Sequence, residues 1–569
     1  MFACHHPSGR QVFDGEAASD VVCVPASTRY ISTVSGPRQA IRPPYSCILV
    51  WWLGFAACLL AAGCTSAPEP TVGDDEFVGR PAETTAEPAE APSPLHGTLW
   101  YRLEPGDEVI TIHLRLMEPP SETTFFLPGP WAERDDFDER IRLDHAHGPG
   151  DDTPLPLTVD RDQGRIDVAT GDREWVELIY HVETDPRGSG ENRFTPWHDD
   201  DAFFAYAPTI LILPSAAIAH RLRDIPVELH VPANWTVAST WTQKRDGVDG
   251  NRRIAAYLAD DIRTLRDAYV GAGDDWRQLE STPTGRPMRL TLTGEFDFDD
   301  NEVRNASTEL LREYLRQFGL YDEVSAIVHP VDDSPDNFHG AGRHGGFVLE
   351  IPPDSSLDDA LLILIAHEAL HMWNGHQLVP KPDIEDETQW FKEGLTHYVA
   401  LKTLARLDLV DTAAIRDELA RAAHYYVHNP LVAGGQIRTI DRTRFPYDRG
   451  LLIGLVLDAA LLQATGGRIE IEDWFRLLLD ASVAESNHRY DPEMLRDTFR
   501  RLTADFGDEP MRQYDRFVRA GRPLDVHRIF DELGLHFLAA EPDEKARVLP
   551  IDDESEPFEQ IFAPDPRTD

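Results

Sequence analysis

His367 and His371 stand four residues apart in His367-Glu368-Ala369-Leu370-His371. On a helix that spacing puts both imidazoles on one face, one turn apart, where their nitrogens can hold a single tetrahedral Zn2+. Glu368 lies beside them, placed to take a proton from a water that the ion activates. Such a set of groups hydrolyses amide bonds. With 22 histidines in the chain, chance supplies this five-residue pattern in roughly one chain in fifteen of similar composition. Two satisfied core histidines are therefore the rival reading. Two features weigh against it: histidines on an otherwise apolar helix need polar partners, and a third ligand is available downstream. Glu393, in Gln389-Trp-Phe-Lys-Glu393-Gly-Leu-Thr-His397-Tyr398, follows His371 by 22 residues on what reads as a second helix. A carboxylate from a separate helix completes a two-His-one-Glu site and leaves one position open. His397 competes for the same role.

The elements that must carry these groups can be read from periodicity. Pro352-Pro353, then Ser356 with Asp359 three places on, mark a helix start, and Leu361-Leu-Ile-Leu-Ile-Ala366 is apolar enough that this helix must be buried. Upstream, residues 96–262 alternate: Ile110, Ile112, Leu114 and Leu116, then Val176, Leu178, Tyr180 and Val182, then Val227, Leu229 and Val231. These are half-buried strands of a β domain. Mixed structure follows, with a strand at 289–293, a helical pattern from Val303 to Phe318 and a strand at 324–328. Beyond about residue 400 the period is helical, and Leu451–Leu457, apolar on all sides, must be a buried helix. There is no internal repeat.

A chain of 569 residues exceeds one hydrophobic core and should divide into three or four units. Its 54 Lys+Arg against 99 Asp+Glu give a net charge of −45, which argues against nucleic acid as a partner. The charge reads as a solvated acidic surface, or more sharply as an attraction for cationic peptides. All five cysteines lie within residues 1–64, so any metal site beyond them must use His, Asp and Glu. Residues 47–63 form an uncharged apolar run, and Leu60-Ala61-Ala62-Gly63-Cys64 resembles a bacterial lipobox. The expectation is an exported lipoprotein of the cell envelope, anchored through lipid on Cys64; an uncleaved membrane anchor is the alternative. The long stretch before this run fits a start codon placed too early. A Pro/Ala/Glu-rich tether follows over 65–95.

The blocks His367-Glu-Ala-Leu-His-Met-Trp-Asn374, Trp390-Phe-Lys-Glu-Gly-Leu-Thr-His-Tyr398 and Tyr447-Asp-Arg-Gly450 resemble the glycyl aminopeptidase family of gluzincin metallopeptidases. The resemblance implies a multidomain α+β chain: an N-terminal β-sandwich-like domain (96–262), a thermolysin-like catalytic domain (263–420) and a C-terminal all-α helical domain (421–545), ahead of an acidic tail (546–569). It favours Glu393 over His397, giving one Zn2+ on His367, His371 and Glu393, with Glu368 as general base and Tyr447 as the donor to the oxyanion. The implied activity is that of a membrane-anchored zinc peptidase acting on peptide or protein substrates, aminopeptidase-like, with small amino-terminal residues.

Two departures stand out. Only about 45 residues follow Leu524, too few for the PDZ-like domain usual in the family. The family's Gly-Gly-Leu-Glu-His type segment, whose Glu grips the substrate's amine, aligns with 338–346, where Gly342 takes the place of the Glu. Gly340, Gly342, Gly345 and Gly346 should form a backbone strip beside the cleft that pairs with an extended substrate. Glu350 either replaces the missing anchor or faces solvent from an edge strand. The departure keeps open a zinc endopeptidase or narrow-specificity peptidase, and beyond it a non-catalytic peptide-binding lipoprotein.

Overall fold

The computed structural model describes residues 22–24, 95–429, 432 and 445–562, apart from 107–108, 132–133, 151–152, 188–193, 320, 332–337, 487, 543 and 552–555. The expected lipobox with Cys64, and the tether as far as residue 94, lie outside the described residues. Residues from Ser93 on belong to one compact unit.

Alternation in the amino-terminal part produces the strands it implies. The main sheet runs Thr242–Asp249, Arg252–Asp261, Leu222–Pro232, Leu99–Pro105, Val109–Met117, Trp175–Glu183, Ile141–His147. Ile112 stands opposite Leu103 on one side and Tyr180 on the other, so every second residue stacks onto one buried face. Phe125, Ile166 and Val168 of a four-stranded sheet built on Glu122–Phe126 and Arg165–Ala169 join the same core. A third sheet contains Ala202–Tyr206, Tyr269–Gly273 and Thr236–Ser239. The β layer thus continues past residue 262, because Val270 and Ala272 pack into its core.

The layer that carries the His367–His371 motif consists of β1 (Met288–Leu292), α1 (Asp300–Phe318), β2 (Val324–Pro330), β3 (Phe338–Arg343), β4 (Gly346–Ile351) and α2 (Asp359–His371). Strand order is Val22–Val24, β3, β4, β2, β1, Arg277–Ser281, with β1, β2 and β4 parallel and β3 antiparallel to β4. Side-chain alternation splits β4 between two environments. Phe347, Leu349 and Ile351 join the core that contains α2, while Val348 and Ala341 meet Phe204, Tyr206 and Tyr269 of the third sheet. The α2 cap differs slightly from expectation. Asp358, one residue before Asp359, accepts from Leu361 N at 3.1 Å, and Ser356 lies outside the helix.

Beyond α2 come a π-helical turn (Trp390–Leu395), α3 (Thr396–Arg406), α4 (Thr412–His428), α5 (Phe445–Thr465) and α6 (Ile471–Ser486). One continuous hydrophobic core runs from Met288 to Phe562, so the mixed α/β layer and the helical part share an interior. The stretch expected to be an acidic tail is docked as far as residue 562. Arg547–Pro550 pairs with Leu535–Leu538, and Phe558, Ile561 and Phe562 are buried, the last with its ring 6.0 Å from that of Tyr398. The reason is that this stretch also carries Val548, Phe558, Ile561 and Phe562, apolar residues that the core takes. Among the described residues no helix is long and apolar enough to cross a membrane.

Candidate active site

Every side chain of α2 from Leu361 to His371 is buried. Its position is fixed by two tyrosines that donate to carbonyls of the helix end, Tyr314 to Ala366 O at 3.0 Å and Tyr321 to Met372 O. On its exit turn, His367 Nε2 and His371 Nε2 lie 2.9 Å apart, and Glu393 Oε2 is 3.1 Å from the second and 3.5 Å from the first. A tetrahedral Zn2+ with bonds of about 2.0–2.1 Å spaces its ligands by about 3.3–3.4 Å, so these three atoms fit one ion. Among the described residues this is the one group of three or more His, Cys, Asp or Glu that could hold a metal. His371 Nδ1 is 2.7 Å from the Asn374 carbonyl, which can only accept, so Nδ1 carries a proton and Nε2 is the atom turned toward His367 and Glu393.

Burial makes the site demand a cation. It drives the His367 imidazole down to about 3, so that ring is neutral, as a ligand must be. Burial also opposes ionisation of Glu393, yet the adjacent His371 and the hydrogen bonds from both rings outweigh it and hold that carboxyl well below its usual range. Burial would lower His371 too, but the Glu393 carboxylate raises it to about 9. Without a metal, the His371 imidazolium thus balances the Glu393 carboxylate, which has 0% exposure; a Zn2+ held by the three groups would take over that charge and leave both rings neutral.

Glu393 projects from the π-helical turn, whose extra residue rotates the carboxylate toward α2. A glycine pair makes room for this turn. A Cβ on Gly394 would lie 2.3 Å from Gly450 Cα, and one on Gly450 would lie 2.1 Å from Trp390 O. Asn374 ties the two metal-bearing segments together by donating through Nδ2 to Phe391 O at 2.9 Å and Thr396 Oγ1 at 3.0 Å. His397 points elsewhere: its Nε2 is 2.7 Å from Glu418 Oε1, leaving the third ligand position to Glu393.

Glu368 faces β3. Its Oε2 accepts from Gly342 N at 2.9 Å, and burial pushes its carboxyl up to about 8. The strand passes so close that a Cβ on Gly340 would be 2.3 Å from Glu368 Cγ, and one on Gly342 would be 2.3 Å from His371 Cβ. Glycine at 342 is therefore a packing requirement, and no carboxylate can stand there. The other expected strip residues separate from these two. Gly345 turns the β3–β4 hairpin at φ +77°, and Gly346 packs on β2, where a Cβ would lie 1.8 Å from Ser325 O. Glu350 does not face solvent. It projects from the sheet face opposite α2, 3% exposed, accepts from Tyr206 OH at 3.3 Å and lies 3.6 Å from His329 Nε2. Arg343, which the sequence reading passed over, lies on that same face, 2% exposed, with its guanidinium 4.9 Å from the Trp131 ring and 5.1 Å from the Tyr206 ring. Its place directly after the glycines was the available signal. Tyr447, in the first turn of α5, is half-buried, and its ring lies 6.4 Å from the His367 ring at 26°.

Residues 360–446 match the family model of M61 glycyl aminopeptidases. None of the curated proteins compared with the chain matches it. Among solved structures, an aminopeptidase N family protein from Idiomarina loihiensis is similar, with a TM-score of 0.64 and 18% identity over 77% of this chain and 79% of that one. The M1 zinc metallopeptidase of Deinococcus radiodurans, in a variant bound to a Tyr-Ser-Ala substrate, aligns with a TM-score of 0.49 and 16% identity over 76% of this chain and 95% of that one. The resemblance read from the motif blocks therefore stands. The segment that carries the metal-ligand set is thus similar to that of M61 glycyl aminopeptidases, a similarity that supports a hydrolase of peptide bonds, and the mixed α+β fold is shared with an aminopeptidase N family protein.

Proposed function

We propose that the protein is an aminopeptidase-like zinc enzyme that removes small residues from the amino termini of peptides. The observation that carries the reading is the convergence of His367 Nε2, His371 Nε2 and Glu393 Oε2 beside a carboxylate, Glu368, that takes no part in holding the ion. Zn2+, when bound there, supplies a Lewis acid that polarises a carbonyl and brings the pKa of water to about 7. Glu368 accepts the proton that water loses and delivers one to the departing amine. Gly342 N–H holds that carboxylate in line, and the Tyr447 hydroxyl donates to the oxyanion as the carbonyl carbon becomes tetrahedral. The backbone of β3 offers an extended substrate a strand to pair with.

A second reading, an endopeptidase or narrow-specificity peptidase, is favoured by Gly342, where packing leaves no room for a carboxylate that would grip an amine. Hydrolysis of Ala- and Gly-initiated peptides with free and with acetylated amino termini separates the two. An aminopeptidase cuts only the free series and loses activity with a zinc chelator. Equal cleavage of the acetylated series supports the endopeptidase, and chelator-resistant cleavage sinks both. We further propose attachment to the cell envelope through lipid on Cys64, on the strength of the lipobox-like segment. Lipid labelling that persists in Cys64→Ala would refute it.

A further inference from the structure

The mechanism leaves unexplained what holds Tyr447 over the metal ligands. The contact between Gly450 and the π-helical turn sets how closely α5 approaches, and burial of Phe445, Pro446 and Leu451 seats its first turn, but such apolar contacts have little directional preference for the half-buried Tyr447 ring. One turn away, a largely buried chain of polar side chains closes a circuit with the His367 ring. That ring lies 5.4 Å from His397, and His397 Nε2 lies 2.7 Å from Glu418 Oε1. Arg421 grips both oxygens of Glu418, with Nε 2.6 Å from Oε2 and Nη2 bonded to Oε1, and its Nη1 reaches Asp448 Oδ1 at 3.4 Å. Asp448 is followed back along the chain by Tyr447, whose ring returns to His367. The circuit links α2, α3, α4 and α5. His397 and Asp448 are each 3% exposed, and the two-point grip of a guanidinium on a carboxylate fixes direction as well as distance.

We propose that Glu418, Arg421 and Asp448 are positioning residues, which hold the first turn of α5 so that the Tyr447 hydroxyl meets the developing oxyanion. The inference rests on the oxyanion role given to Tyr447 above. A displacement of about 1 Å in such a donor is enough to cost on the order of a hundredfold in rate.

A double-variant cycle tests it in the full-length zinc-loaded enzyme, with an Ala-initiated peptide as substrate. Arg421→Met should lower kcat by about ten- to a hundredfold, with KM and bound zinc unchanged, and Arg421→Lys should recover part of the loss. In a Tyr447→Phe background, Arg421→Met should lower kcat by no more than about twofold, because the group it positions is gone. Asp448→Asn, which keeps the shape of the side chain, repeats the cycle if Arg421→Met does not fold. An impaired Tyr447→Phe enzyme on which either substitution imposes its full further loss overturns the positioning role alone. Full kcat in Tyr447→Phe removes the oxyanion role and the positioning role together, and unchanged kcat in both Arg421→Met and Asp448→Asn removes only the latter.

Discussion

At Glu368, folding and catalysis pull in opposite directions. Burial favours the protonated acid, while a base must be ionised, and the cation held by the neighbouring histidines reconciles the two. Glu368→Gln keeps the shape and the hydrogen bond from Gly342 but removes the base. It should bind zinc stoichiometrically and lose about 10^2- to 10^4-fold in kcat; metal analysis beside a steady-state assay checks this, and an active Gln enzyme refutes the mechanism. Gly342 makes the complementary case on the facing strand. Gly342→Ala brings a methyl to 2.3 Å from His371 Cβ, so either β3 or a metal ligand must move. The expected outcome is a loss of about 1–3 kcal/mol in stability and weakened zinc retention on dialysis. Wild-type stability and zinc content in this variant would show that the strand has room to spare.

The elements legible in the sequence are those whose own side chains carry the pattern. Alternation at Ile110, Ile112 and Leu114 reports a strand because one face is buried, and the apolar run from Leu361 to Ala366 reports a buried helix. Elements shaped by a distant partner stay hidden. The π-helical turn under Glu393 exists because α5 crosses at Gly450, some 57 residues further on. Likewise Tyr269–Gly273 belongs to the β layer through pairing with Ala202–Tyr206, and the docked end of the chain through Tyr398. The two alternatives for Glu350 could not be separated because the face it occupies depends on the register of β4 between β2 and β3. The crossing itself is testable. Gly450→Ala places a methyl 2.1 Å from Trp390 O, backbone that cannot swing aside, so α5 must back away. A fall of about 1–3 kcal/mol in unfolding free energy, together with a lower kcat at intact zinc content, is the expected pair of results. A loss of stability with unchanged kcat would separate the crossing from the chemistry.

For the molecule as a whole, charge sets how stability varies with pH. A net charge of −45 makes the compact state repel itself near neutrality, and protonating exposed carboxylates relieves that repulsion. Acid removes a different set of interactions further down the scale. Burial works to raise the Glu177 carboxyl, but hydrogen bonds from His113 at 2.9 Å and Arg115 at 2.6 Å, with their charges, bring it down to about 2. Its folded-state pKa is thus depressed below the unfolded value of about 4.3. The stability it contributes is complete above that value and is lost as pH falls through it toward about 2. Asp136 and Glu313 are shifted in the same direction, Asp136 first by its hydrogen bond from Arg134, and Glu313 against burial by its bonds from Arg316 and Gln317. The two trends cross on the acid side of neutrality. The midpoint of thermal unfolding of the metal-free protein, followed at low salt, should therefore rise as pH is lowered from 8 to about 5 and fall below about 4. Raising salt to about 0.3 M screens the surface repulsion and should flatten the upper limb while leaving the acid limb in place. Glu177→Gln should soften the acid limb alone. A midpoint that climbs steadily from pH 5 to 8 at low salt would mean that histidines which burial holds neutral, His329, His344 and His367, and not the dispersed surface charge, govern the stability of this chain in that range.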